Sequence, residues 1–228
     1  MSKIRDAKGR LDGENSGYTR VLGNVALGQL LSRVQATVIA NGNELERLIA
    51  ERCTQIADID EFIDNATMGK IKNGVYLCLK KTFKKSKKYS KGVEKIEPDM
   101  LIFIVQEYRV CKIIELKDGD AFDTKKSQAE KEHLEKFATI FGSKIPFSTN
   151  YYICSFNQEK REMIKIGFKN VFDDEHILTG RELCEILCIQ YNEIIAIRER
   201  DRRDNLDYFI EQLLLIPEIE TELQNRLD

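Results

Sequence analysis

The 228-residue chain predicts an α/β fold, a central mixed β-sheet flanked by helices, and three observations carry that reading. Apolar residues recur at helical spacing through most of 21–64. From Gly74 the texture changes to short runs rich in β-branched residues, VYLCL, DMLIFIV and RVCKIIEL, too short for helices and bounded by turn residues. After residue 176 helical spacing returns behind the stretch ILTGRELCEIL. With 42% hydrophobic residues, a chain of this length can bury one two- or three-layer core. One domain over 1–228 is therefore expected, with an N-terminal segment and helix at 1–42, the core at 43–175 and C-terminal helices at 176–228.

The elements follow in order. Residues 1–20 are a polar lead-in with little to bury. Leu22, Val25, Leu30, Val34 and Ile39 predict a helix over 21–40, loosened by Gly23 and Gly28. The ANGN segment at 40–43 supplies a stop and a fresh N-cap. A second helix, 44–64, then carries Leu45, Leu48, Ile49, Cys53, Ile56, Ile59 and Ile63 as one buried stripe. After the three short strands come a helix over 125–141, a strand over 150–156 and a further strand at 163–166. Thr179, with Glu182 three residues on, forms a capping box for the next helix, and two more helices follow, parted near Pro217.

Composition excludes several functions. No apolar run approaches the roughly 18–20 residues of a membrane span. The opening MSKIRDAKGRLDGENSG lacks the apolar stretch of a secretory signal, so a cytoplasmic location is expected. Thirty-six basic against 38 acidic residues leave a net charge of −2, which argues against wholesale polyanion binding but allows a local basic surface. The six cysteines stand apart, mostly within apolar runs, and read as buried free thiols of a reducing compartment. Two histidines exclude a three-histidine zinc site.

Three ionisable side chains stand out in the strand region. Asp99 opens DMLIFIV, while Glu115 and Lys117 close RVCKIIELK. The two runs should form an antiparallel hairpin, in which opposed residue numbers sum to a constant. A turn centred on Glu107 makes that sum 214 and sets Asp99 opposite Glu115, with Lys117 on the same face. An even two-residue loop would turn Asp99 away, so an odd loop or a bulge is expected. Two carboxylates this close repel unless a cation lies between them, and a hard divalent ion, Mg²⁺ above all, suits such a pair. Lys117 beside it could orient or deprotonate a water. This is the equipment of metal-assisted phosphodiester hydrolysis.

The pattern Pro98, Asp99, then Glu115-Leu116-Lys117 resembles the PD-(D/E)xK nuclease superfamily. IELKDGDAFDTKKSQAE, the later ILTGRELCEIL, and NGNELERLI on the first core helix look like type II restriction endonucleases. The resemblance implies a restriction-endonuclease-like core and a single nuclease domain with its catalytic core at 43–175. It implies that Asp99 and Glu115 bind metal and that Lys117 positions the attacking water. Glu46 matches the helix acid that reaches the metal directly or through water in many relatives. The implied activity is sequence-specific, Mg²⁺-dependent hydrolysis of double-stranded DNA that leaves 5′-phosphate ends. A repair or recombination nuclease that recognises DNA structure, or an inactive DNA-binding protein on this core, are the alternatives.

Eight lysines crowd residues 80–95, just before Asp99, where positive charge would draw a polyanion toward an acidic site. Lys80, Lys81 and Lys84 are the candidate phosphate contacts there, with Lys125 and Lys126 at the start of the next helix. Arg20 and Arg33, with Tyr18 and Gln35, are candidates for reading bases. Cutting both strands of a palindrome needs two sites related by a two-fold axis, so a homodimer on double-stranded DNA is expected. Neither a membrane nor a nucleotide cofactor is expected as a partner.

Overall fold

Among the described residues six strands lie side by side in chain order: β1 (Thr54–Gln55), β2 (Gly74–Leu79), β3 (Met100–Val105), β4 (Arg109–Lys117), β5 (Ser148–Ser155) and β6 (Ile177–Thr179). The computed structural model describes residues 3–9, 16–119 and 121–227. β2, β3 and β4 are antiparallel, whereas β1 joins β2, and β5 and β6 continue from β4, in parallel. The sheet is mixed, as expected. In the β3 and β4 hairpin Met100 faces Ile114 and Val105 faces Arg109, which is the sum of 214. Gln106, Glu107 and Tyr108 make the odd loop.

Nine helices accompany this sheet among the described residues: α1 (Gly17–Leu22), α2 (Val25–Ala50), α3 (Ile59–Thr67), α4 (Lys80–Phe83), α5 (Thr124–Gly142), α6 (Arg161–Gly167), α7 (Gly180–Leu187), α8 (Tyr191–Leu214) and α9 (Pro217–Leu227). No helix of the described residues is long and apolar enough to cross a membrane. The chain forms two compact units. One comprises Met1–Arg47 and Asn192–Asp228, the other Leu48–Tyr191 with the whole sheet. In the first, Lys3 Nζ lies 2.8 Å from Asp204 and the Ile4 N–H donates to Asn205 Oδ1 at 2.8 Å.

Three local expectations are corrected. ANGN does not stop a helix: α2 runs through it, because Leu45, Leu48 and Ile49 beyond it are buried and hold the backbone helical. That burial outweighs the ~1 kcal/mol that a helical glycine costs. The expected helix over 44–64 breaks instead after Ala50. Cys53 turns the chain into β1, and Asp58 caps α3 by accepting from the Glu61 N–H. The segment 163–166 is helical, part of α6, not a strand. Ile164 is buried while Met163 and Ile166 are exposed, an in-out pattern too short to separate the two periods. An unforeseen short helix, α1, is capped by Ser16 and ends on left-handed Gly23.

The second unit's core explains where its site can be. Alternate residues of the hairpin, Leu101, Phe103, Val105, Cys111 and Ile113, join a buried cluster with Leu134, Phe137 and Phe141 of α5. Phe83 meets Phe137 and Phe141 at 5.2 and 5.3 Å between ring centroids. Each such fully buried ring contributes roughly 1.5–3 kcal/mol. The same alternation carries on beyond the cluster to Asp99, Glu115 and Lys117. The apolar face of the sheet therefore ends in ionisable side chains.

Candidate active site

At this end of the hairpin Asp99 is tied down twice. Its carbonyl accepts from the Lys80 N–H at 3.0 Å, and its Oδ2 accepts from the Leu116 N–H at 2.9 Å. Lys80 Nζ stands 3.8 Å from Asp99 Oδ1, a loose ion pair. Across the register Glu115 is 8% exposed and accepts from Lys117 Nζ at 2.7 Å. Lys117 Nζ also donates to Glu130 of α5 at 2.9 Å. Thus Asp99, Glu115 and Lys117 are gathered at one place, with Lys80 beside them. An open cavity of about 180 Å³ here is lined by Lys80, Lys95, Glu97, Glu115, Glu130 and His133, among others.

Electrostatics at this site are unbalanced. Burial, and then the neighbouring Asp99 charge, push the Glu115 carboxyl up to about 7, although Lys117 pulls the other way. Burial works against the Lys117 ammonium too, yet Glu115 and Glu130 outweigh it and hold that pKa above the ordinary lysine value. Three acids thus share Lys117 and a looser Lys80. Surplus negative charge around a buried carboxylate is what a hard divalent cation relieves, so the donor set fits Mg²⁺. Among the described residues no three His, Cys, Asp or Glu side chains converge tightly enough to enclose an ion. Two carboxylates with water completing the shell is the arrangement that Mg²⁺ favours.

The sequence has a close relative. The chain is 68% identical to the type II restriction enzyme HhaII of Haemophilus parahaemolyticus over 225 residues, covering 98% of this chain and 99% of that one. The chain belongs to the type II restriction enzyme family. No family model and no solved structure matches it.

The remaining residues singled out for a restriction enzyme are dispersed. Lys81 and Lys84 are exposed on and just after α4. Lys125 and Lys126 are exposed in the first turn of α5, where Asp123 accepts from the Lys126 N–H and pairs with its ammonium at 3.5 Å. Glu46, half-buried on α2, and Arg20, exposed on α1, belong to the other unit, as does Arg33. There Arg33 donates to the carbonyls of Arg5 and Ala7 and lies over the Tyr208 ring, so it clasps the N-terminal segment. Tyr18 and Gln35 bond each other at 2.7 Å.

Sequence reasoning did not find Glu130, Glu97 or His133, and placed Lys95 only within the basic run of 80–95. One signal was present for Glu130. Ser127, Glu130, Leu134, Phe137 and Phe141 recur three and four apart, so Glu130 stands on the buried stripe of α5, the wrong place for an idle carboxylate.

Proposed function

We propose that this chain is a homodimeric, Mg²⁺-dependent restriction endonuclease of the PD-(D/E)xK class, cutting double-stranded DNA at a specific sequence with Asp99, Glu115 and Lys117. The observation that carries the reading is the pairing of Lys117 with Glu115 at 2.7 Å beside an Asp99 held across the hairpin. Identity of 68% to a type II restriction enzyme along almost the full length weighs against a repair nuclease or an inactive binding protein.

Asp99 and Glu115 would hold the cation. When bound, Mg²⁺ stabilises charge on the phosphoryl oxygen and on the leaving 3′-oxygen. Lys117 donates to the attacking water and fixes its line to phosphorus. Water adds across the P–O3′ bond, leaving a 5′-phosphate on one fragment and a 3′-hydroxyl on the other. Asp99 keeps its place because the Leu116 N–H and the Lys80 backbone restrain it.

Lys80, Lys81 and Lys84 support phosphate binding beside this site, with Lys125 and Lys126 as outer contacts and Arg20 as a base reader. Arg33 serves the fold first. The dimer is supported by exposed Val38 and Ile39 on α2 and Leu206 and Ile210 on α8. A cytoplasmic setting is supported by free cysteines, four of them buried.

The test is incubation of the purified protein with unmethylated plasmid in Mg²⁺, and again in EDTA. Discrete fragments in Mg²⁺ alone are expected, and sequencing their ends gives target and stagger together. Cutting confined to branched or nicked DNA would favour the repair reading, and binding without cutting would overturn catalysis.

A further inference from the structure

The carboxylate of Glu130 lines the cavity and has no role in the chemistry described above. It reaches the site from α5 and meets Lys117 Nζ at 2.9 Å, alongside the 2.7 Å bond to Glu115. As a structural feature it is costly. Lys117 already has one carboxylate, and a second adds like charge beside buried Glu115. Glu130 also occupies the face of its helix that elsewhere carries Leu134, Phe137 and Phe141, all buried. A helix of this kind would gain from an apolar residue there unless the carboxylate served something.

Donor counting suggests what it serves. A lysine ammonium has three N–H donors. Two go to Glu115 and Glu130, and the third has no partner among the described residues. Once Glu115 turns to a cation, its hold on Lys117 weakens, and an amine on a four-carbon stem regains its rotamers. Glu130 comes from a different element, α5, and its 2.9 Å bond to the amine does not depend on Glu115.

We propose that Glu130 is the positioning residue for Lys117: it holds the amine against the scissile phosphate while Glu115 is engaged with the cation. This rests on Lys117 acting at the phosphate as described above. It requires an oxygen acceptor at position 130, with a negative charge secondary.

The experiment measures kcat and KM for cleavage of a plasmid carrying one target, in Mg²⁺, for Glu130→Gln, Glu130→Ala and Glu130→Met, with Lys117→Ala alongside. Glu130→Gln keeps an acceptor and is expected to cleave within about threefold of the parent. The alanine and methionine variants lack one and should lose about 10- to 100-fold in kcat with KM little changed, the scale of a misplacement of about 1 Å. Both replacements are good helix formers, so α5 is preserved. The proposal is overturned if the acceptor-free variants keep the parent kcat, if their loss lies in KM, or if glutamine falls as far as alanine. Lys117→Ala separates the two readings. Its full activity would remove the premise, whereas an inactive Lys117→Ala beside a fully active Glu130→Ala would sink the Glu130 role alone.

Discussion

The backbone N–H of Leu116 donates to Asp99 Oδ2 at 2.9 Å, so an acid just before β3 is clamped by the strand that carries Glu115 and Lys117. Charge and hydrogen bonding can be parted at this position. Asp99→Asn retains an acceptor for Leu116 but removes the charge, while Asp99→Ala removes both. Cleavage should vanish in each. Thermal stability should fall only in the alanine variant, by about 1–3 kcal/mol, because the Leu116 N–H is left unsatisfied. Melting curves beside plasmid digests distinguish the outcomes. An active Asp99→Asn enzyme would detach that carboxylate from catalysis.

Affinity for DNA should depend on salt through the exposed lysines near α4. Removing a lysine that binds a phosphate lowers the slope of log K against log salt by about 1. The double variant Lys81→Ala, Lys84→Ala is therefore expected to lower it by about 2, measured by anisotropy in Ca²⁺ to suppress cutting. Lys126 is already paired with Asp123, so Lys126→Ala should change the slope less. Equal effects would mean that the region near α4 has no privileged role in phosphate binding.

These groups were legible in the sequence to different degrees. Asp99, Glu115 and Lys117 could be assembled because the hairpin is local: an odd loop and strict alternation fix its register, which the ladder reproduces from Met100 to Val105. The Thr179 and Glu182 box was also readable, since its signal lies within four residues. Glu130 was not assigned, although its place on the α5 stripe is plain. Knowing that the stripe delivers it to Lys117 requires the crossing of a helix over a strand, which no local pattern encodes. The strand expected at 163–166 failed for the opposite reason. Four residues fit either period, and tertiary burial of Ile164 decided between them.

Glu182 makes acid stability testable. Burial raises its carboxyl, but hydrogen bonds from Arg161 and Thr179 prevail and hold it below the ordinary glutamate value. A depressed acid binds fewer protons folded than unfolded. Its stabilisation is therefore complete above the unfolded pKa and is lost as pH falls through the folded one. The melting temperature should drop as the pH falls below the ordinary glutamate pKa. Glu182→Gln keeps a capping acceptor without a titrating group, and should flatten that part of the curve while starting lower at pH 7. Parallel curves for the two proteins would show that the box carries no pH-dependent stability.

Close packing behind the site yields the last prediction. A Cβ on Gly180, at the start of α7, would lie 2.2 Å from the Phe156 carbonyl oxygen, and the Phe156 N–H donates to the Lys117 carbonyl at 2.9 Å. Backbone, not a flexible side chain, must shift to admit a methyl group, and the shift passes directly to Lys117. Gly180→Ala is therefore expected to cost about 1–3 kcal/mol of stability, the usual range for overpacking, and to lower kcat well below the melting transition. Gly42 in α2 supplies the contrast, because a Cβ there meets nothing within 4 Å. Gly42→Ala should stabilise by about 0.5–1 kcal/mol and leave cleavage unchanged. Calorimetry and initial rates on both variants decide the matter. A Gly180→Ala enzyme with parental kcat would mean that Lys117 does not feel displacement of Phe156.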